Sequence, residues 1–464
     1  MAVALFGTGI YYNKYKGYFN DNDVKYLVSN NVNESNTIDE HKVIKPQELD
    51  VDEIEYIYIL VKDFEEIYIQ LKELGFPEMC IKTYKDIADD LNIELIINKG
   101  NIKYGLGILE SIKHKKKVLV ISHGYSLTGV PIALLNLSLL FREMGWCPIY
   151  AGIEGGLLKE DIRNRDIFFT DELNVHIYHH SFEQLIDVCD LIVVGTFSVI
   201  DVGKWIQKRN KKMIWWSHES ADKYYMENHL ECRVDKDVFW GVGKRVIKKF
   251  KEYNNIEMLP YFYYIPELEE NSQNKCDNKT YTIAIIGTIE SRKGQDLFLK
   301  AMSRNNVFSK SVQALIIGKT AEDKAEKLYV YDFLKMVEAN DCIEYLGEKT
   351  QKELKSIYND IDLLVCPSRD DPMPIVVTEA MQRGIPCLVS SEVGQSEYIT
   401  NGENGYVFKS ESVDELCRFL SEAINNSFKA AKVGERGKEI YYSLFTKEVA
   451  LNKLRDTLNV LGEL

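Results

Sequence analysis

Short apolar runs recur along the whole chain, and the stretches between them place apolar residues at helical spacing. Strand-length runs alternating with helix-period segments predict parallel α/β layers. Three blocks emerge. In residues 1–112, VALFGTG predicts a strand and turn, GYFND a second strand and YIYILVK a third. FEEIYIQLKELG then predicts an amphipathic helix stopped by Gly75, followed by MCIKTYKDI. The block 113–270 opens sharply at KKKVLVISHG and continues through CPIYAG, NVHIYH, DLIVVGT, KMIWWSHES, DVFWGVG and IEMLPYFY. The polar stretch 266–281, PELEENSQNKCDNKTY, predicts a linker. The block 271–440 repeats the rhythm with TIAIIGT, QALIIGK, CIEYLGE, DLLVCPS and IPCLVSS, and an amphipathic helix follows in 441–464. There is no short-period repeat.

Two similar α/β domains in tandem imply a cleft between the carboxyl ends of two parallel sheets, where open sheets of this kind take ligands. Length agrees, since 464 residues exceed what one ordinary core organises. No apolar run reaches the ~20 residues of a membrane helix. The amino terminus, MAVALFGTGIYY, lacks a basic leader and a small-residue cleavage site, so no signal peptide is expected. Nine scattered cysteines without a C-x-x-C predict reduced thiols in a cytoplasm, not a disulfide framework or a zinc site. The net charge of −14 argues against nucleic-acid binding. Basic clusters at 114–117, 208–212 and 244–251 fit either solvated helix ends or a face toward an anionic membrane or glycan.

Candidate chemistry concentrates in three places. In PSRDDPMPIVVTEAMQRGIPC, Pro372 and Pro374 flank a helix start and Gly384 closes the helix. The N–H groups of Met373, Ile375 and Val376 are then available to a phosphate. Asp371 and Glu379 would repel that phosphate, but carboxylates suit the vicinal hydroxyls on either side of a diphosphate, as in a sugar nucleotide. The same pattern fits a helix-capping Asp371 and a solvent-facing Glu379 equally well. In GTIESRKGQDLFLKAM, Arg292 and Lys293 precede Gly294 at a helix start and can neutralise a diphosphate. In VISHGYSLTGVPIALL, Gly124 and Gly129 let backbone approach a ligand and Thr128 can assist.

These three segments, in this order, resemble a family 4 retaining glycosyltransferase of the GT-B fold over residues 113–464, two Rossmann-like domains facing a cleft. The resemblance implies that Arg292 and Lys293 hold the donor diphosphate with Gly129, Met373, Pro374, Ile375 and Val376. It implies that Glu379 holds the ribose and that Tyr345, Leu346 and Gly347 receive the base. Asp371 stands where the family's first glutamate contacts the transferred sugar. His218, in KMIWWSHES, matches a histidine facing that sugar; on residues alone it reads equally as structural, with Glu219 either orienting it or facing solvent. His179 and His180 read as structural strand residues. Two departures bear on the donor: Asp371 is one methylene shorter than the usual glutamate, and Thr288 replaces a common arginine, leaving that charge to Arg292.

The implied reaction moves a sugar from a nucleoside diphosphate sugar, UDP-linked by expectation, to a bacterial surface glycan, lipid-linked or protein acceptor. It needs no metal or other cofactor and takes place in the cytoplasm or at the inner face of the membrane. The alternative is a non-catalytic acceptor-binding subunit of a two-protein complex. Residues 1–112 resemble a degenerate Rossmann-like accessory module. A third glycine is missing and only about seven residues separate GTG from the expected second strand, so NAD binding is not expected.

Overall fold

The computed structural model describes residues 2–31, 37–98, 100–219, 230, 232–233, 235–254, 259–260, 280–304, 311–321 and 323–463. Most of the expected linker, 266–279, and most of IEMLPYFY lie outside the described residues. The chain forms two compact units, residues 1–119 with 149–190, and residues 120–148 with 191–464.

In the first unit six strands form one sheet: β1 (Val3–Phe6), β2 (Val24–Val28), β3 (Thr37–Ile38), β4 (His41–Ile44), β5 (Tyr56–Ile59) and β6 (Ile81–Thr83). Their order is β3-β4-β2-β1-β5-β6, parallel except for the β3–β4 edge. The segment GYFND is not the second strand. The chain instead forms the helix Ile10–Tyr15 and a 3₁₀ turn, Lys16–Tyr18. Tyr12, Tyr15 and Phe19 are spaced as one helical face, and all three are buried, Phe19 edge-on to Tyr58 at 4.8 Å. The same unit holds the small antiparallel pair β7 (Ile96–Ile97) and β8 (Gly100–Asn101).

Strand β9 (Lys117–Gly124) leads into the helix Gly129–Glu143, and β10 (Cys147–Glu154) pairs in parallel with β11 (Phe168–Phe169). NVHIYH is not a strand: Asn174–His176 is a 3₁₀ turn, and the His179 ring accepts from the Ser181 N–H to cap the helix His180–Asp187. A side chain that satisfies a helix start withdraws its backbone from a sheet ladder. Strands β12 (Leu191–Val194), β13 (Lys212–Ser217), β14 (Asp237–Gly241) and β15 (Leu259–Pro260) then pair in sequence, all parallel.

The last sheet comprises β16 (Thr280–Ile286), β17 (Ser311–Ile317), β18 (Ile343–Gly347), β19 (Leu363–Cys366), β20 (Cys387–Ser390) and β21 (Tyr406–Phe408), in the order β18-β17-β16-β19-β20-β21. All five pairings are parallel. Strands β19 and β20 are buried at every position, as expected of a sheet covered on both faces. Phe298, Leu299, Phe333, Phe419 and Leu420 pack over it, each worth about 2 kcal/mol of burial. Strand order reverses between β16 and β19, so the crevice at their carboxyl ends is the place this topology offers a ligand. The helix Lys447–Val460 reaches β14, where Trp240 Nε1 donates to Thr457 Oγ1 at 3.0 Å.

Candidate active site

Both loops leaving that crevice carry the residues singled out in the sequence. After β16 the chain makes a 3₁₀ turn, Ser291–Lys293, closed by Gly294 in the left-handed region (φ +70°). A Cβ on Gly294 would lie 2.1 Å from the Pro367 carbonyl oxygen at the end of β19, so glycine alone allows this approach. Several bonds pin the turn. Ser291 N and Oγ both donate to Glu326 at 2.8 Å. Arg369 donates through Nη1 to Ser291 O at 2.6 Å and grips Asp296 at 2.8 and 3.0 Å. Burial works to raise the Asp296 pKa, but Arg369 and Lys300 hold it down to about 2.

Two cations and one acid converge here. Lys293 Nζ lies 2.6 Å from Asp371 Oδ2, with Asp371 only 7% exposed. Arg292 donates to the Asp370 carbonyl at 2.8 Å and to Glu290 at 2.6 Å. Burial disfavours the Arg292 charge, but Asp371, Glu290 and Asp370 outweigh it and raise its pKa. The Asp371 backbone is clamped to the β20 loop, its N–H donating to Glu392 O and its carbonyl accepting from Gly394 N–H. Asp371 is therefore no helix cap; Pro374 occupies that position.

The helix Ile375–Gln382 begins four residues beyond Asp371 and is closed by Gly384 (φ +69°), as expected. Buried Gln395 fixes its start by donating to Pro374 O at 2.8 Å and Thr378 Oγ1 at 2.9 Å. Met373 and Pro374 are buried, and Ile375 and Val376 half-buried. The first-turn N–H groups of any helix lack intrahelical partners. A Cβ on exposed Gly129 would stand 3.8 Å from Ile375 Cδ1, so the β9 loop comes alongside this helix start. Thr128 Oγ1 bonds Ser126 Oγ at 2.8 Å and leaves the helix uncapped by a side chain.

Glu379 sits one turn into the helix and accepts from the Tyr358 hydroxyl at 2.7 Å through Oε2. Burial raises its pKa, while Tyr358, Arg383 and Lys355 pull it back. At the end of β18, Tyr345 donates to Gly318 O at 2.8 Å and packs edge-on to Phe333, with Leu346 and Gly347 half-buried beside it.

His218 follows β13, its ring 4.4 Å from that of Trp216. Burial, with a lesser push from His123, takes its pKa down to about 3, so the imidazole is neutral at physiological pH. Glu219 stands beside it, half-buried. It accepts from the Thr196 hydroxyl and from the N–H groups of Phe197 and His218 at 3.2 and 3.0 Å, fixing the loops after β12 and β13. The residues following β14 also meet the segment 373–398. Arg245 pairs with Glu392, Lys244 lies 4.9 Å over the Tyr398 ring, and a Cβ on Gly243 would be 2.9 Å from Met373 Cε.

Sequence reasoning missed Arg369, Gln395, Tyr358 and the Arg245–Glu392 pair. Arg369 directly precedes the two aspartates and had a local signal; the others join segments distant in sequence. Among the described residues, the side chains grouped closely enough for a metal ion are Asp89, His179 and His180, in the first unit. There His179 Nε2 is 3.2 Å from Asp89, and its Nδ1 is already engaged by the Ser181 N–H. No described helix is long and apolar enough to cross a membrane.

Two family profiles match the chain: "Glycosyl-transferase family 4" over residues 114–255 and "Glycosyl transferases group 1" over 267–440. A 41.2 kDa protein of the Klebsiella pneumoniae cps region is 24% identical over 200 residues, 43% of this chain and half of that protein. The lipopolysaccharide 1,2-N-acetylglucosaminetransferase of Salmonella typhimurium is 25% identical over 253 residues, 50% of this chain and 65% of the enzyme. The chain thus spans between half and two thirds of these relatives. Among solved structures, Anabaena HepE in complex with UDP-glucose superposes with a TM-score of 0.63 at 15% identity, covering 74% of this chain and 99% of HepE.

Proposed function

We propose that this chain, whose fold is of GT-B architecture, is a retaining, metal-independent glycosyltransferase moving a hexosyl or N-acetylhexosaminyl group from a UDP-sugar to a bacterial surface glycan, lipid-linked or protein acceptor. The observation that carries the reading is the Lys293–Asp371 pair at the β16/β19 crevice, with Glu379 on the helix that starts just beyond it. Lys293 and Arg292 take the diphosphate, aided by the helix start at Met373–Val376 and by the Gly129 loop. Glu379 takes the ribose, and Tyr345, Leu346 and Gly347 the base. Asp371 takes a hydroxyl of the transferred sugar, turning toward it when the diphosphate claims Lys293.

Transition-state charge gathers on the leaving diphosphate, where two fixed cations and a helix dipole stabilise it without a metal. Asp371 passes from Lys293 to a hydroxyl of the transferred sugar and Glu379 is held by Tyr358 for the ribose, so neither acid is left as a free base. That supports same-face attack, with the departing phosphate accepting the acceptor's proton. Neutral His218 suits a hydrogen bond to the sugar, not a cationic role. UDP as carrier draws support from the HepE complex, and a surface-glycan acceptor from the Klebsiella and Salmonella relatives.

The test is release of nucleoside diphosphate from a panel of UDP- and GDP-sugars, with the product's anomeric configuration read by NMR. Hydrolysis or transfer from one UDP-sugar, unaffected by chelator and absent in Lys293→Ala, is expected. No turnover with any donor, despite nucleotide binding, supports the acceptor-binding subunit instead. Inversion at the anomeric carbon, or activity that chelator abolishes and Mg²⁺ restores, refutes the corresponding part.

A further inference from the structure

Tyr358 belongs to no motif and lies at the end of the helix Gln351–Tyr358, twenty-one residues before Glu379. It is 2% exposed, yet its hydroxyl is not spent on the core. It donates to Glu379 Oε2 at 2.7 Å, with the Val376 carbonyl at 3.4 Å. Burial, with Glu379 beside it, keeps its pKa far above the ordinary tyrosine value, so it stays a donor at any working pH. Arg383 completes the arrangement: its guanidinium lies 4.1 Å over the Tyr358 ring while Nη1 donates to the Glu379 carbonyl at 2.8 Å. One carboxylate oxygen is thereby pinned, and Oε1 takes no hydrogen bond among the described residues.

We infer that Tyr358 is a positioning residue for donor recognition. It holds Glu379 in the rotamer and ionised state that present Oε1 to the ribose hydroxyls, with Arg383 buttressing the pair. The inference rests on the ribose reading of Glu379 given above. Its physical basis is that a half-buried carboxylate with one fixed, charge-assisted bond pays less ordering entropy when a ligand hydroxyl arrives. The phenol also offsets part of the burial that otherwise favours the protonated acid, which cannot accept two hydroxyls.

The experiment compares wild type, Glu379→Ala and Tyr358→Phe for binding UDP and 2′-deoxy-UDP, and GDP and 2′-deoxy-GDP, by calorimetry from pH 5 to 8. Wild type is expected to prefer the ribonucleotide about tenfold, the worth of one charge-assisted hydrogen bond. Glu379→Ala erases the preference. Tyr358→Phe, which keeps the ring and its packing, lowers the preference severalfold while 2′-deoxy-nucleotide affinity holds. What preference remains fades at a higher pH than in wild type, because the carboxylate has lost the bond that favoured its ionised form. If wild type shows no preference, or Glu379→Ala retains it, the ribose reading falls and takes the inference with it. If Glu379→Ala erases the preference but Tyr358→Phe keeps it in full, the positioning role alone is refuted. Equal losses for both nucleotides in Tyr358→Phe would show a merely structural tyrosine and refute it as well.

Discussion

Asp371→Asn separates the two tasks assigned to the Lys293–Asp371 pair. At 2.6 Å the gross attraction is about 6 kcal/mol for an effective dielectric of 20. Desolvation of side chains that are 21% and 9% exposed cancels most of it, leaving the about 1.5–3 kcal/mol typical of a charge-assisted bond. Asparagine preserves shape and a neutral acceptor, so roughly 1 kcal/mol of Lys293's engagement is released. A diphosphate then meets a less committed ammonium and no neighbouring negative charge. UDP without a sugar should therefore bind about fivefold tighter by calorimetry. Turnover of the cognate UDP-sugar should fall at least about tenfold in a UDP-release assay, because the hydroxyl contact loses its charge. The melting temperature should move little, since the Lys293 contact persists in weaker form. Weaker UDP binding, or unchanged turnover, refutes this reasoning.

Gly294→Ala forces a Cβ to 2.1 Å from Pro367 O at a left-handed position. It should cost more than about 2 kcal/mol and weaken UDP binding through the displaced Arg292–Lys293 turn, read by melting and calorimetry. Arg369→Ala leaves half-buried Asp296 with Lys300 alone as counter-charge and should lower stability by about 2 kcal/mol in urea titration; a loss under about 0.5 kcal/mol contradicts the network's importance. His218 binds a proton less readily folded, at about 3, than unfolded, at about 6.5. The unfolded state therefore gains protons as pH falls through that window, and stability declines with it. His218→Gln should flatten the decline, and identical pH–stability curves would show that the histidine is not shielded.

The last sheet was legible because its strands are continuous apolar runs with glycine-marked ends, and parallel burial writes that pattern directly. So was the local structure of two loops: Gly294 stands between the Arg292–Lys293 turn and the next helix, and Gly384 stops the helix that follows Asp371, where local signals put them. The failures have a common physics. Phe19 could serve strand or helix, and its place is set by long-range packing, edge-on to Tyr58 in the cluster that also buries Tyr12 and Tyr15. NVHIYH looked strand-like because a histidine N-cap is a weak sequence signal, yet one ring-to-amide bond turns the chain. The anchoring of Glu219 left no local signal, because Thr196 and Phe197 come from the separate loop after β12. Tyr358, Gln395 and the Arg245–Glu392 pair were invisible for the same reason, since long-range hydrogen bonds leave no periodicity.

The strand order of the last sheet also has a consequence during synthesis. Strand β16 bonds to β19 through Ile283↔Leu363 and Ala284↔Leu364, and β19 in turn to β20. The crevice cannot exist until the ribosome has released the chain well past residue 390, and closing such a long crossover is slow. Until then Arg292 and Lys293 ride on a half-built sheet with an exposed apolar edge, the species most prone to aggregate. A nucleotide captured as β19 docks would bind only the finished arrangement, so on the proposed function UDP should raise the yield of folded protein in refolding.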